Sequence, residues 1–173
     1  MIIRPATAMD AGPLAAIYGY HVLHGFGTFE EETPDAGEME RRRLAILERG
    51  LPYLTAEADG RVLGFAYAGP FRPRAAYRYT VEDSVYVAPD AAGRGVGRAV
   101  LSAVLGACEG LGLRQVVAVI GDSGNAASIG LHRSLGFADA GVGRSLGYKH
   151  GRWVDVVWMQ KALTGGDTRA PEA

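Results

Sequence analysis

Apolar positions along the chain change their period several times, and each change marks an element. Ile2–Pro5 reads as a short strand, and Asp10 then caps a helix with Leu14, Ile17, Tyr18 and Val22 on one face. Residues 26–32 form a polar and aromatic connection. Thr33 is expected to cap a second helix with Pro34 at its first position, Met39, Leu44 and Leu47 as its apolar stripe, and Gly50 as its stop. Three runs rich in β-branched and aromatic residues follow at 53–58, 61–68 and 78–87, and Asp59-Gly60 is a hairpin signal between the first two. An antiparallel meander is the expected result. Residues 69–77, Gly-Pro-Phe-Arg-Pro-Arg-Ala-Ala-Tyr, separate two strands by more than a minimal turn and form a candidate functional loop.

A helix is predicted over 95–111, with Val100, Leu101, Val104, Leu105 and Cys108 along its stripe and Gly110 and Gly112 at its end. A buried strand at 114–120, a helix at 125–135 stopped by Gly136, and two last strands near 137–146 and 152–161 complete the pattern. The polar tail 164–173 is expected to be disordered, and no internal repeat is visible.

A chain of 173 residues, 48% of them hydrophobic, has material for one buried core, so a single domain is expected over 1–163. The formal charge of −1, with both signs evenly mixed, removes the case for a nucleic-acid arm or a membrane patch and moves small-molecule chemistry forward. Cys108 is the one cysteine, so no internal disulfide forms, and its apolar neighbours suit a small buried hydrophobe in a reducing, cytoplasmic setting. No basic segment precedes an apolar run at the N-terminus, and no apolar run approaches the ~18 residues of a membrane span. Neither secretion nor anchoring is expected.

Residues 82–100 carry the strongest single signal: a strand runs into a glycine-studded turn that opens a helix. Gly93, Gly95 and Gly97 alternate with Arg94, Val96 and Arg98, so backbone N–H groups can approach an anion where the helix dipole favours negative charge. This reads as a pyrophosphate cradle. No Gly-Lys-Ser/Thr follows, which excludes a Walker loop, and the next strand is apolar beyond Gln115, which disfavours dinucleotide binding. Glu82 shares a strand face with Thr80 and Ser84 by the period of two, and on residues alone it is either an exposed strand carboxylate or a base.

The order β-α-α-β-β-β-α-β-α-β-β, with this turn after the fourth strand, resembles the GCN5-related N-acetyltransferase superfamily. Gly95 and Gly97 match the glycines of that superfamily's turn, while Ala92 stands where Gln or Arg is usual, leaving Arg94 or Arg98 to supply charge. The closer resemblance is to the phosphinothricin and methionine sulfoximine N-acetyltransferases. It spans residues 2 to 163 and rests on four stretches: Ala66-Tyr67-Ala68-Gly69-Pro70, Thr80 to Val87, Ser123 to His132, and Gly147-Tyr148-Lys149-His150-Gly151-Arg152-Trp153.

The resemblance implies an α/β fold of the α+β kind, with a mixed, mostly antiparallel sheet of about seven strands flanked by about four helices. It further implies acetyl-CoA as co-substrate, no metal, a homodimer, and as acceptor a small amino acid analogue of the phosphinothricin, methionine sulfoximine or methionine sulfone type. Such activity confers resistance to glutamine-synthetase inhibitors. Glu82 matches the general base, acting while the amine attacks the thioester directly. His132 stands where many members carry a tyrosine acting toward the thiolate; an imidazole there can donate a proton, orient the cofactor or simply pack. The backbone of Val85, Tyr86 and Val87 would pair with the pantetheine arm as an added strand. Gly93, Arg94, Gly95, Val96, Gly97 and Arg98 would hold the pyrophosphate. Asn125 and Ser128 would serve the pantetheine or acetyl end, Asn125 being also a helix cap.

An anionic acceptor calls for arginine clamps, and Arg72 and Arg74, with Pro73 between them, fit bidentate recognition, with Arg78 a third candidate. Phe29, Glu30 and Tyr77 are candidates for the pocket wall, and His150 for the acceptor pocket or a subunit contact. Arg41-Arg42-Arg43 reads as a solvated helix face, His21 and His24 as surface or packing histidines without metal partners, and Trp153 and Trp158 as core or interface. Two other readings stay open: an enzyme of the same fold that acetylates a peptide N-terminus, a lysine or another amine, and a non-catalytic acyl-CoA sensor.

Overall fold

The structure, a computed structural model, describes residues 1–171. Its strands are β1 (Ile2–Pro5), β2 (Tyr53–Ala58), β3 (Arg61–Pro70), β4 (Thr80–Val87), β5 (Gln115–Gly121), β6 (Ala138–Lys149) and β7 (Arg152–Ala162). They form one sheet in the order β1-β2-β3-β4-β5-β7-β6, in which only β4 and β5 pair in parallel. Four α-helices, α1 (Ala11–His24), α2 (Ala36–Leu47), α3 (Val96–Gly110) and α4 (Ala126–Ser134), flank it. The mixed, mostly antiparallel sheet with its helices is the architecture expected. Among the described residues no helix is long and apolar enough to cross a membrane.

The local reasons are legible. Asp59 and Gly60 both take positive φ, as a tight hairpin between β2 and β3 requires. Strands β4 and β5 run parallel because α3 is the crossover between them, and it buries Val96, Val100, Leu101, Val104, Leu105 and Cys108 against the sheet. The opposite face is covered by α1 and α2, with Leu14, Tyr18 and Val22 of α1 buried over the aromatic residues Tyr53, Phe65 and Tyr86.

Three expectations for α2 need correction. Asp35 caps α2, its side chain accepting from Glu38 N at 2.7 Å, so Thr33 and Pro34 lie outside the helix. That helix buries Met39 and Arg43 while Leu44 and Leu47 stay exposed. The triple arginine is therefore not a solvated face: Arg43 is buried, donating to Ala6 O at 2.9 Å and to Glu40, and half-buried Arg42 bridges Glu30 and Glu38. Only Arg41 stays largely in solvent. Residues 164–171 of the polar tail fold back, Thr164 bonding Glu109 and Ala170 O accepting from Arg114. Residues 172 and 173 lie outside the described residues.

Candidate active site

Strands β4 and β5 pair from Thr80↔Gln115 to Asp83↔Ala118, and beyond that point their pairing stops. A cleft of about 760 Å³ opens there. Ala88 N donates to Leu63 O, so by alternation along β4 the backbone groups of Tyr86 and Ser84 face β3, while those of Val85 and Val87 face the cleft. Val87 O is taken by His21 Nε2 at 2.8 Å, which leaves Val85 with both its N–H and C=O toward the cleft and Val87 with its N–H. Of the three residues expected to present backbone to the cofactor, Tyr86 does not; its ring packs on Tyr18, His21 and Phe65 instead.

The glycine turn closes one end of this cleft. Gly93 and Gly95 take φ of +73° and +79°, which a side chain would strain. Gly97 is needed for a different reason: a Cβ there would lie 3.3 Å from both Leu131 and Val87, so its absence lets α3 pack against β4 and α4. The first intrahelical bond of α3 runs from Ala99 N to Gly95 O, so the N–H groups of Val96, Gly97 and Arg98 have no partner within the helix. Three aligned donors at the positive end of a 15-residue helix form an anion seat, and the cleft beyond has free strand groups for an amide-bearing arm. These residues fit a pyrophosphate-bearing thioester cofactor.

Alternation along β4 divides its side chains. Thr80, Glu82, Ser84 and Tyr86 face α1 and α2; Val81, Asp83, Val85 and Val87 face α3 and α4. Glu82 is half-buried, and burial pushes its carboxyl pKa up, with the charge of Arg72 opposing and that of Asp83 adding. Directly across the ladder stands Gly69, which leaves the flank of Glu82 without a neighbouring side chain. Arg72 stacks on Phe71 with its guanidinium 4.4 Å from the ring centroid and donates to Phe71 O.

On the other face, His132 is buried beside Asp83, with Nε2 at 3.0 Å from Asp83 Oδ2 and Nδ1 at 2.7 Å from Ser128 O. Asn125 caps α4, accepting from Ser128 N at 3.1 Å, with its amide nitrogen turned toward Gly121 O. Both cap and cleft wall are therefore one residue.

The cleft brings together Val85, Val87, Gly93, Gly95, Val96, Gly97, Arg98, Asn125, Ser128 and His132. Arg94 is exposed beside it. Arg72, Pro73, Arg74, Tyr77 and Arg78 line a separate groove with Arg49 at the opposite end of β4. Phe29 and His150 line neither and sit behind the cleft wall: Phe29 packs where Cβ atoms on Gly147 and Gly121 would stand, and His150 meets Phe26 edge-on at 5.4 Å. Sequence reasoning passed over four residues. Phe26 lines the cleft, its carbonyl so close to Gly121 that a Cβ there would overlap it, and Arg152 stacks over its ring at 3.9 Å. Lys149 is fully buried and donates to Thr28 O at 2.8 Å, fastening this loop to the β6–β7 hairpin. Asp83 was hidden behind Glu82, and Arg42 behind its helix's charge pattern.

A parted pair of parallel strands beside a helix N-terminus with unpartnered N–H groups suits an enzyme that moves an acyl group from a carrier thioester, and half-buried Glu82, which does not itself line the cleft, stands just before it on β4. The chain belongs to the acetyltransferase (GNAT) family, which residues 15–137 match. It is 55% identical over 170 residues to a phosphinothricin N-acetyltransferase of Alcaligenes faecalis, covering 98% of this chain and 86% of that one. It is 42% identical to an L-methionine sulfoximine/L-methionine sulfone acetyltransferase of Pseudomonas paraeruginosa, covering 93% and 94%. A phosphinothricin acetyltransferase from Sinorhizobium meliloti, solved in complex with acetyl-CoA, superposes with a TM-score of 0.95 at 44% identity, over 99% of this chain and 92% of that one.

Proposed function

We propose that this protein acetylates the α-amine of a small amino acid analogue, of the phosphinothricin, methionine sulfoximine or methionine sulfone type, using acetyl-CoA. The observation that carries this reading is the placement of half-buried Glu82, three residues before Val85, whose free N–H faces the gap between β4 and β5. Similarity to enzymes of both acceptor types supports the acceptor class.

Val96, Gly97 and Arg98 would hold the pyrophosphate, with Gly93 and Gly95 shaping the turn and Arg94 adding charge. Val85 and Val87 would pair with the pantetheine arm, and Asn125 and Ser128 would line its far end. When bound, acetyl-CoA supplies an acetyl group already activated as a thioester. Glu82 takes a proton from the acceptor's ammonium, and its raised pKa makes it a stronger base than an exposed carboxylate. The freed amine then attacks the thioester carbonyl directly; the amide C–N bond forms as the C–S bond breaks, and CoA leaves as the thiol, its sulfur taking up the second proton lost by the attacking nitrogen. Val85 N–H is placed to meet the charge growing on the carbonyl oxygen. Arg72, the one expected clamp whose charge reaches Glu82, would take an anionic group of the acceptor. Arg74, Pro73 and Tyr77 stay in the separate groove and Phe29 and His150 outside the cleft, and none of these five is proposed to contact the acceptor.

The same reading includes a homodimer. Strand β6 is the sheet's edge, and Val142, Leu146, Tyr148 and, from β7, Trp153 are all largely exposed there, an apolar surface suited to a second copy. Protection against glutamine-synthetase inhibitors is the proposed biological consequence.

Thiol release from acetyl-CoA, followed across phosphinothricin, methionine sulfoximine, methionine sulfone, ordinary amino acids and a short peptide, tests the acceptor. Rapid release with one of the first three is expected. Release with the peptide alone would overturn the acceptor assignment.

A further inference from the structure

We propose that Asp83 is a positioning residue: its carboxylate holds His132 as an imidazolium, and the pair pins β4 to α4 at the point where the cleft opens. The inference deepens the acetyl-transfer reading and rests on it for its effect on turnover. The pairing itself stands on geometry alone.

A neutral imidazole has one ring proton to give. Here Nδ1 lies 2.7 Å from the carbonyl oxygen of Ser128, which can only accept, with the Ser128 hydroxyl farther off at 3.4 Å, and Nε2 faces Oδ2 of Asp83. With Asp83 ionised, a ring that donates from both nitrogens is an imidazolium. The groups packed around it agree. Asp83 on β4 is the charged partner; Ser128 lies one turn back on α4; Phe137 meets the ring edge-on at 5.0 Å. Cys108 of α3, which feels the Asp83 charge, has its thiol pKa pushed up to about 12, with burial the main cause, and is uncharged. Glu82, also within reach of Asp83, points to the opposite sheet face. Burial alone would lower the imidazole's pKa; the hydrogen bond and charge of Asp83 outweigh it and raise it above its ordinary value.

Two consequences follow from the placement. Neither ring nitrogen is left over for a departing thiolate, so of the roles open to His132 the geometry favours orientation over proton donation. Asp83 is also the last β4 residue paired with β5, and Val85 stands two positions on, with its backbone turned to the cleft. A buried ion pair from that residue to α4 holds the angle at which β4 leaves the sheet, and with it the aim of Val85 N–H. The second carboxylate oxygen, Oδ1, is buried without a hydrogen-bond partner, so the His132 contact is the one hydrogen bond this side chain makes among the described residues.

Nitrogen-15 NMR of His132 in cofactor-free protein tests the pair directly: both ring nitrogens should be protonated at neutral pH, where a free imidazole is mostly uncharged. Asp83→Asn keeps the shape but removes the charge, and one ring nitrogen should then be unprotonated at neutral pH. In that variant CoA affinity should stay within about twofold while kcat falls at least about tenfold, because binding through the glycine turn is untouched and aim is not. A ring with one unprotonated nitrogen in the unaltered protein at neutral pH would overturn the proposal, as would an Asp83→Asn variant with unchanged kcat. Should Asp83→Asn not fold, His132→Gln is measured by the same division between CoA affinity and kcat. An unaltered protein that binds CoA and acetylates no amine would sink the acetyl-transfer reading while the NMR result still decides the pair.

Discussion

Glu82 has a carboxylate's chemistry changed by its surroundings: burial favours the neutral acid, Asp83 adds to that, and Arg72 pulls the other way. A base works only when ionised. Since its pKa stands above the ordinary 4.5, kcat/KM should fall on acidification with a midpoint above that value, read from a pH–rate profile. A profile flat to below 4.5 would deny Glu82 the role. Glu82 could be nominated from sequence because it belongs to a short stretch of fixed spacing, as does the glycine turn. Arg43, Lys149 and Asp83 were not, since each is defined by a partner distant in sequence: Ala6 O, Thr28 O and His132. A charged residue beside other charges reads as solvated until the chain that buries it is in place.

At the scale of elements, α2 shows what local pattern leaves open. Thr33 and Asp35 both can cap, and Pro34 between them suits a first helical position, so the sequence offers two starts. The structure takes Asp35, whose extended backbone directs its carboxylate at Glu38 N. Asp35→Ala should therefore cost about 1 kcal/mol in urea unfolding, and Thr33→Ala much less. Equal losses would return the cap to Thr33. The helix's buried face shifted for a related reason: Met39 and Arg43 lie one turn apart and face the sheet, and an arginine with a carboxylate and a carbonyl to bond can occupy a position that apolar counting gave to Leu44. Strand β6 likewise reaches Lys149, beyond its expected end near 146, because its pairing with β7 continues through bulges that hydrophobic alternation does not register.

The whole molecule was legible in the order of its elements and in the turn that follows β4, which together specify one sheet and a cleft beside it. What no local pattern contained was how the loop after α1 reaches across to β5 and the β6–β7 hairpin through Phe26, Gly121 and Lys149. The exposed apolar residues of β6 and β7 belong to this scale too. Light scattering should return twice the 18.3 kDa chain mass, and Trp153→Asp should lower it toward a single chain. A mass of one chain for the unaltered protein would contradict the dimer.

Everything proposed for the reaction depends on Glu82 acting as the base for acetyl transfer beside the parted strands. The most direct measurement is thiol release from acetyl-CoA with phosphinothricin as acceptor, comparing the unaltered protein with Glu82→Gln, alongside CoA affinity for both. The predicted result is unchanged CoA affinity with kcat down at least about a hundredfold in the variant. A variant that turns over within a few-fold of the unaltered protein would contradict it.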